Sequence, residues 1–116
     1  MGTTGMEARS PITTHVLNTA TGEPAGGLLV TLEIRDRNRW TSLAEASTDA
    51  DGRVANLLPE DHDLTIGTYR LTFATGAWQQ GFYPEVSIAF TVADPRQHYH
   101  VPLLLSPYGY TTYRGS

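Results

Sequence analysis

The sequence predicts an all-β protein, a sandwich of two sheets with about eight strands and one short helix. Three observations support this prediction. Apolar and polar side chains alternate with a period of two along most of the chain. Turn-forming residues separate the alternating segments at short intervals. With 116 residues, of which 40% are hydrophobic and 17% charged, the chain is long enough to form one domain with its own core.

The alternating segments define the strands. In residues 28–34, for example, Leu28, Val30, Leu32 and Ile34 alternate with a mostly polar set. Residues 69–73 and 86–92 show the same pattern, which predicts half-buried antiparallel strands with one face in water. The other predicted strands are 12–18, 40–47, 53–57, 98–105 and 109–114.

Turn signals and one helix signal complete the secondary structure. Turns are predicted at residues 21–24, which read Thr-Gly-Glu-Pro, and at Asp51-Gly52. Asp94-Pro95 is expected to end the strand before it, because proline cannot donate a ladder hydrogen bond. Residues 75–80 are the one segment that favours a helix, with Thr75 as its predicted N-cap.

Composition narrows the functional classes. The net charge is −4, which argues against nucleic acid and anionic membrane surfaces as partners. The chain has no cysteine, which fits a reducing compartment. Residues 1–11 lack the apolar stretch of a secretory signal, so we predict a flexible leader at 1–11, a single domain at 12–116 and a cytoplasmic location. No run of about 20 apolar residues is present to span a membrane.

Histidines stand out near the end of the chain. His98 and His100 are two residues apart on a predicted strand, so their side chains share one face. Tyr99, Val101, Leu103 and Leu105 take the opposite face, which predicts that they belong to the core. The histidine-bearing face is therefore turned towards solvent or towards an interface.

The same residues also permit interpretations in which they are structural or merely exposed to solvent. A His-x-His pair has the spacing of metal ligands, but the chain lacks cysteine and a third ligand at defined spacing, so we predict no metal site. His15 could be a hydrogen-bonded structural histidine, Arg53 a solvated cation and His62 a surface residue of an acidic loop. The residues alone leave open whether the histidine-bearing face is hydrolytic or structural.

Two long segments resemble the transthyretin family. The first is HVLN at 15–18, followed after three residues by Gly22-x-Pro24-Ala25, and the second is YHVPLLLSPYGYT at 99–111. Shorter similarities lie between them in the same order: ADGR at 50–53, GTYRLTF at 67–73 and YPEV at 83–86. The resemblance covers residues 12–116.

The resemblance implies a choice between two activities. One branch of the family carries thyroid hormones, and the other hydrolyses 5-hydroxyisourate in urate breakdown. The hydrolase branch has histidine at the positions of His15 and His100, arginine at that of Arg53, and the ending found here as Tyr113-Arg114-Gly115-Ser116. The carrier branch has lysine at the first of these positions and threonine at that of His100. The resemblance therefore implies a hydrolase, with a small-ligand carrier as the alternative.

It also implies roles and an assembly. His15 and His100 would activate water and transfer protons, and Arg53 would orient the substrate and offset negative charge. Ser116 would hydrogen-bond a histidine or the substrate through its hydroxyl and a terminal carboxylate, and Tyr113 and Arg114 would position that end. No metal or organic cofactor is implied. The implied fold is two four-stranded sheets, with the strands that bear these residues in one sheet, in a homotetramer whose sites lie at a subunit interface.

Overall fold

A computed structural model describes residues 10–116 and shows two sheets packed face to face. Within these residues there are nine strands and one helical turn: β1 (Ile12–Asn18), β2 (Glu23–Pro24), β3 (Leu29–Asp36), β4 (Arg39–Ser47), β5 (Arg53–Val54), β6 (Gly67–Phe73), α1 (Thr75–Trp78), β7 (Val86–Val92), β8 (Tyr99–Ser106) and β9 (Gly109–Thr112). The predicted all-β sandwich with one short helix is confirmed.

The two sheets differ in size. One has the order β2-β1-β8-β9, with β5 also paired to β1, and is called the histidine sheet below. The other, called the second sheet, has the order β4-β3-β6-β7. The histidine sheet has five strands rather than the implied four because β2 and β5 are two-residue segments that pair with different parts of β1: Glu23 lies opposite Asn18, and Arg53 lies opposite His15.

The core lies between the sheets and follows the predicted alternation. Leu28, Val30 and Leu32 are fully buried, as are Leu71 and Phe73 of β6. On β8, the four residues assigned to the core from the sequence are all at most 7% exposed: Tyr99, Val101, Leu103 and Leu105. His98 and His100 are on the other face, as the parity predicted, and are half-buried.

The segment predicted as a turn at 21–24 is only partly a turn. The backbone N–H groups of Thr21 and Gly22 donate to the carbonyl of Asn18, which closes a tight turn. Glu23–Pro24 then returns as the short strand β2. Proline is compatible with this strand because β2 is at the edge of the sheet, where no ladder hydrogen bond from its nitrogen is needed.

The helix is shorter than predicted, and its predicted cap is wrong. It spans four residues, follows Ala74 and has no side-chain cap. Thr75 lies inside the turn, and its hydroxyl donates to the carbonyl of Tyr83 at 2.8 Å, so it fastens the next loop instead. Among the described residues, no helix is long and apolar enough to cross a membrane.

Strands β1 and β8 run parallel, which the sequence did not predict. Their register pairs Thr13 with His100 and His15 with Pro102. The two histidine-bearing strands of the chain therefore lie side by side, although more than eighty residues separate them. This pairing creates the outer face on which the candidate site lies.

The predicted leader, residues 1–11, falls mostly outside the described residues. Its last two residues are in the described part, where Ser10 is 1% exposed. The Ser10 hydroxyl donates to the carbonyl of Ile12 at 2.6 Å and accepts from the N–H of Leu58 at 3.1 Å. Ser10 therefore packs with the sandwich.

Candidate active site

Three strands bring the predicted site residues to one face. His15 on β1 is the register partner of Arg53 on β5, and Thr13, two residues earlier, is the partner of His100 on β8. Because residues two apart on a strand point to the same side, Thr13 and His15 share the outer face with both of their partners. This surface, made by Thr13, His15, Arg53, His98 and His100, is called the histidine face.

A cleft of about 200 Å³ opens on the histidine face. It brings together three of the predicted residues, Arg53, His100 and Ser116. The remaining lining comes from β1 and from the segment that follows Arg53: Thr13, Thr14, Val54 and Ala55. His15 does not line this cleft but lies beside Arg53 in the adjacent strand.

The backbone of Arg53 is held by a hydrogen bond, whereas its side chain is left to interact with a ligand. Its N–H donates to a carboxylate oxygen of Asp49 at 2.9 Å. The preceding Gly52 has φ +75°, and a Cβ there would collide with the carbonyl oxygen of Val16, so the turn requires glycine. Within residues 10–116, the guanidinium of Arg53 makes no hydrogen bond or ion pair. Its charge is available to a ligand.

The imidazole of His100 is fixed from two sides. Its Nδ1 is 2.8 Å from the hydroxyl of Thr13. Gly115 lies on the other side of the imidazole. The N–H of Gly115 donates to the backbone carbonyl of His100 at 2.8 Å, in an antiparallel bridge. A Cβ on Gly115 would lie 2.6 Å from Cδ2 of His100, so only glycine lets the tail approach this closely.

One further residue of the histidine face, Thr13, was missed in the sequence analysis. The Thr13 hydroxyl is also 3.1 Å from Nε2 of His98, so it contacts both histidines. Thr13 was not singled out because threonine is common in strands and by itself indicates no function. The available signal was its position two residues before His15, which places it on the same face.

Tyr113 and Arg114 line a different cleft. This cleft is larger, about 320 Å³, and is mostly apolar, with Ile88 and Phe90 among its lining residues. The guanidinium of Arg114 lies 4.6 Å from the ring centroid of Tyr99 and donates to Oε1 of Gln97 at 2.9 Å. These contacts fasten the tail beside β8, so Arg114 is placed to position the chain that leads to Ser116. A direct contact with substrate stays a prediction.

The structure also shows where His62 lies and whether any side chains are grouped as metal ligands would be. His62 lines a third cleft together with Glu60 and His98, and neither Arg53 nor Ser116 is among the residues that line it. Within the described part of the chain, no group of three or more histidine, cysteine, aspartate or glutamate residues is arranged to hold a metal ion. The rings of His98 and His100, the pair with metal-ligand spacing in the sequence, have centroids 6.5 Å apart.

Comparison with known proteins now adds to this geometry. A model described as the HIUase/Transthyretin family matches residues 12–115. The chain belongs to this family. It is also 47% identical over 116 residues to a 5-hydroxyisourate hydrolase of Caulobacter vibrioides, an alignment that covers 92% of this chain and 99% of that protein.

Solved structures of both branches of the HIUase/Transthyretin family resemble this fold. The 5-hydroxyisourate hydrolase of Klebsiella pneumoniae has a TM-score of 0.78 and 36% identity, covering 90% of this chain and 98% of that one. Sea bream transthyretin, solved in complex with thyroxine, has a TM-score of 0.83 and 32% identity, covering 91% and 95%. Backbone similarity therefore does not distinguish the two branches. The distinction has to come from the side chains of the histidine face.

The chemistry available to this family member follows from those side chains. Arg53 supplies a permanent cation, two histidines supply imidazoles that can accept or donate a proton, and Ser116 supplies a hydroxyl. Such a set can bind a polar heterocycle with several carbonyl groups and promote attack of water on one of them.

Proposed function

We propose that this protein hydrolyses 5-hydroxyisourate to 2-oxo-4-hydroxy-4-carboxy-5-ureidoimidazoline in urate breakdown. The observation that carries the proposal is the cleft shared by Arg53 and His100, in which a cation without a partner in the described chain lies with an oriented imidazole. The similarity to curated 5-hydroxyisourate hydrolases supports the same activity.

The proposed reaction uses water and three kinds of protein group. A histidine takes a proton from water as the water oxygen bonds to a ring carbonyl carbon. Arg53 stabilises the negative charge that develops on the carbonyl oxygen. The tetrahedral intermediate then collapses, the C–N bond breaks, and the second histidine delivers a proton to the leaving nitrogen. His15 and His100 fill these two roles, while Ser116 orients the substrate or a histidine, and Tyr113 and Arg114 support that end of the chain.

The polarity of the cleft argues against the carrier alternative. A carrier for an apolar aromatic hormone needs a channel that is mostly apolar. The cleft on the histidine face instead contains the charged Arg53, a histidine and three residues with hydroxyl groups: Thr13, Thr14 and Ser116. Burial of Arg53 under an apolar ligand would remove its hydration without supplying a partner, which is unfavourable.

We also propose a homotetramer with the sites at a subunit interface. Strands β7 and β9 are edge strands of their sheets, and such edges invite pairing with a second chain. Large aromatic side chains are exposed nearby, with Phe82 at 67% and Tyr108 at 82%. A two-fold axis would place one histidine face opposite another and enclose the open cleft. Sedimentation of the purified protein should give the mass of four chains.

Two further parts of the proposal concern cofactors and location. The two histidines and Arg53 supply the base, the acid and the cation, so the mechanism requires no metal and no organic cofactor. We place the reaction in the cytoplasm because a chain without cysteine suits a reducing compartment.

The test is direct. Purified protein is mixed with 5-hydroxyisourate generated freshly by a urate-oxidising enzyme, and the decay of its ultraviolet absorption band is followed. We expect decay many times faster than the spontaneous rate and proportional to protein concentration. Decay at the spontaneous rate, together with tight binding of an aromatic hormone, would support the carrier alternative instead.

A further inference from the structure

The hydroxyl of Thr13 lies between the imidazoles of His98 and His100 on the histidine face. Oγ1 of Thr13 is 2.8 Å from Nδ1 of His100 and 3.1 Å from Nε2 of His98. The two rings are almost parallel, with an interplanar angle of 14°. Thr13 is only 5% exposed, so bulk water does not replace either contact.

A single hydroxyl makes the protons of the two rings interdependent. A threonine hydroxyl has one proton to donate and can accept hydrogen bonds through its lone pairs. It can donate to one ring nitrogen only, so the nitrogen on the other side must carry its own hydrogen and donate. With both rings neutral, two arrangements are possible, and they give His100 opposite tautomers.

The proposed reaction selects between these arrangements. Nδ1 of His100 is 2.8 Å from the Thr13 hydroxyl, so proton transfer in the cleft uses Nε2 of the same ring. If Thr13 donated to Nδ1, the hydrogen of neutral His100 would be on Nε2, and that nitrogen could not accept a proton from water.

We propose that Thr13 and His98 hold neutral His100 in its Nδ1–H tautomer, which makes Nε2 of His100 the base that accepts the proton from water. In this arrangement Nδ1–H of His100 donates to Oγ1 of Thr13, and the Thr13 hydroxyl donates to Nε2 of His98. The inference rests on the proposed hydrolysis and assigns the base within it. His15 is then the acid, and Thr13 and His98 are positioning residues.

The tautomer itself is measurable without substrate. The full chain, without a histidine tag, is labelled with ¹⁵N in its four histidines, and two-bond ¹H–¹⁵N correlations are recorded at about pH 8, where histidine is normally neutral. Single His→Gln variants assign the signals. We expect a protonated Nδ1 and an unprotonated Nε2 for His100. A protonated Nε2 in the wild-type protein would overturn the inference.

Kinetics test the consequence with matched variants. Thr13→Val keeps the side-chain shape but removes the hydroxyl, so we expect kcat to fall about 10- to 100-fold, as when the orienting partner of a functional histidine is lost. KM should change by less than about threefold, because the substrate contacts remain. Thr13→Ser restores the hydroxyl and should recover most of kcat along with the wild-type tautomer.

His98 has its own matched control. His98→Phe removes the acceptor for the Thr13 hydroxyl and should lower kcat, whereas His98→Gln retains an acceptor and should lose less. His62→Phe is the control, because His62 lines the same cleft as His98 but, in the part of the chain that the structure describes, makes no hydrogen bond to Thr13. Circular dichroism identifies any variant that misfolds. If Thr13→Val does so, the comparison of His98→Phe with His98→Gln decides.

The outcomes separate this inference from the proposed function. If the wild-type protein hydrolyses the substrate and Thr13→Val does so equally fast, the inference is wrong and the function stands. If the wild-type protein does not hydrolyse it, the proposed function fails, and the NMR measurement alone decides whether Thr13 and His98 set the tautomer of His100.

Discussion

Arg53 and Arg70 lie on the outer faces of the two sheets, and their surroundings differ. Arg70 is ion-paired with Glu33 at 2.6 Å, and its guanidinium lies 4.2 Å from the ring centroid of Trp40. Arg53 has no such partner among the described residues, and it lines a cleft with His100. The charge of Arg70 is satisfied within its own sheet, whereas that of Arg53 is left for a ligand. The comparison separates a structural arginine from one placed for binding.

The outer faces of the two sheets show the same contrast as the two arginines. Polar side chains on the outer face of the second sheet bond to one another, as Thr72 and Ser87 do at 3.0 Å. On the histidine face, by contrast, hydrogen bonds orient two imidazoles around Thr13, next to the open cleft. Substitutions on the second sheet should therefore change stability, and substitutions on the histidine face should change activity.

The largest effect is expected from the histidines assigned to proton transfer. His15→Ala and His100→Ala should each lower kcat/KM by about 100-fold or more, the usual range for the loss of an acid or base. Neither side chain belongs to the core, so thermal unfolding should stay close to that of the parent. His62→Ala is the control and should match the wild-type rate. An equal loss in His62→Ala and His100→Ala would show that the site has been misplaced.

A smaller but still large effect is expected from Gly115→Ala. The added Cβ would overlap Cδ2 of His100 and push either the ring or the tail out of position. Displacement of a catalytic group by about 1 Å can cost up to about 100-fold in rate, so we expect a loss of kcat between 10- and 100-fold. Ser116→Ala, which leaves this packing intact, is the comparison. Wild-type rates for Gly115→Ala would mean that the tail does not hold the ring.

The second sheet should respond in the opposite way. Arg70→Met removes a half-buried ion pair and a cation–π contact, which together contribute about 1 kcal/mol. We expect a lower midpoint in chemical denaturation and unchanged kcat/KM. Glu33→Gln is the matched variant and should give a similar loss of stability. A large loss of activity in Arg70→Met would remove the distinction between the two faces.

The smallest effect is expected from chelation. Because the proposed mechanism draws its base, acid and cation from side chains, exhaustive treatment with a chelator should leave the hydrolysis rate unchanged. Loss of activity that zinc restores would favour a metal held by His98 and His100.

The sequence predicted those features that local chemistry determines. Alternation located β3, β6 and β7, and parity placed His100 outside the core. The strand β2 was missed because Pro24 reads as a turn residue until the edge position of β2 is known. The role of Thr13 was missed because it depends on the parallel pairing of β1 with β8, a contact between distant parts of the chain that local patterns do not encode.

The account is tested most directly by measuring kcat/KM for 5-hydroxyisourate with Arg53→Met and Arg70→Met side by side. Both variants remove one guanidinium from the outer face of a sheet and keep a side chain of similar length. We predict that Arg53→Met loses about 100-fold or more, because the charge that stabilises the developing oxyanion is gone, while Arg70→Met keeps the wild-type value. Equal values for the two variants would contradict the assignment of the histidine face as the active site.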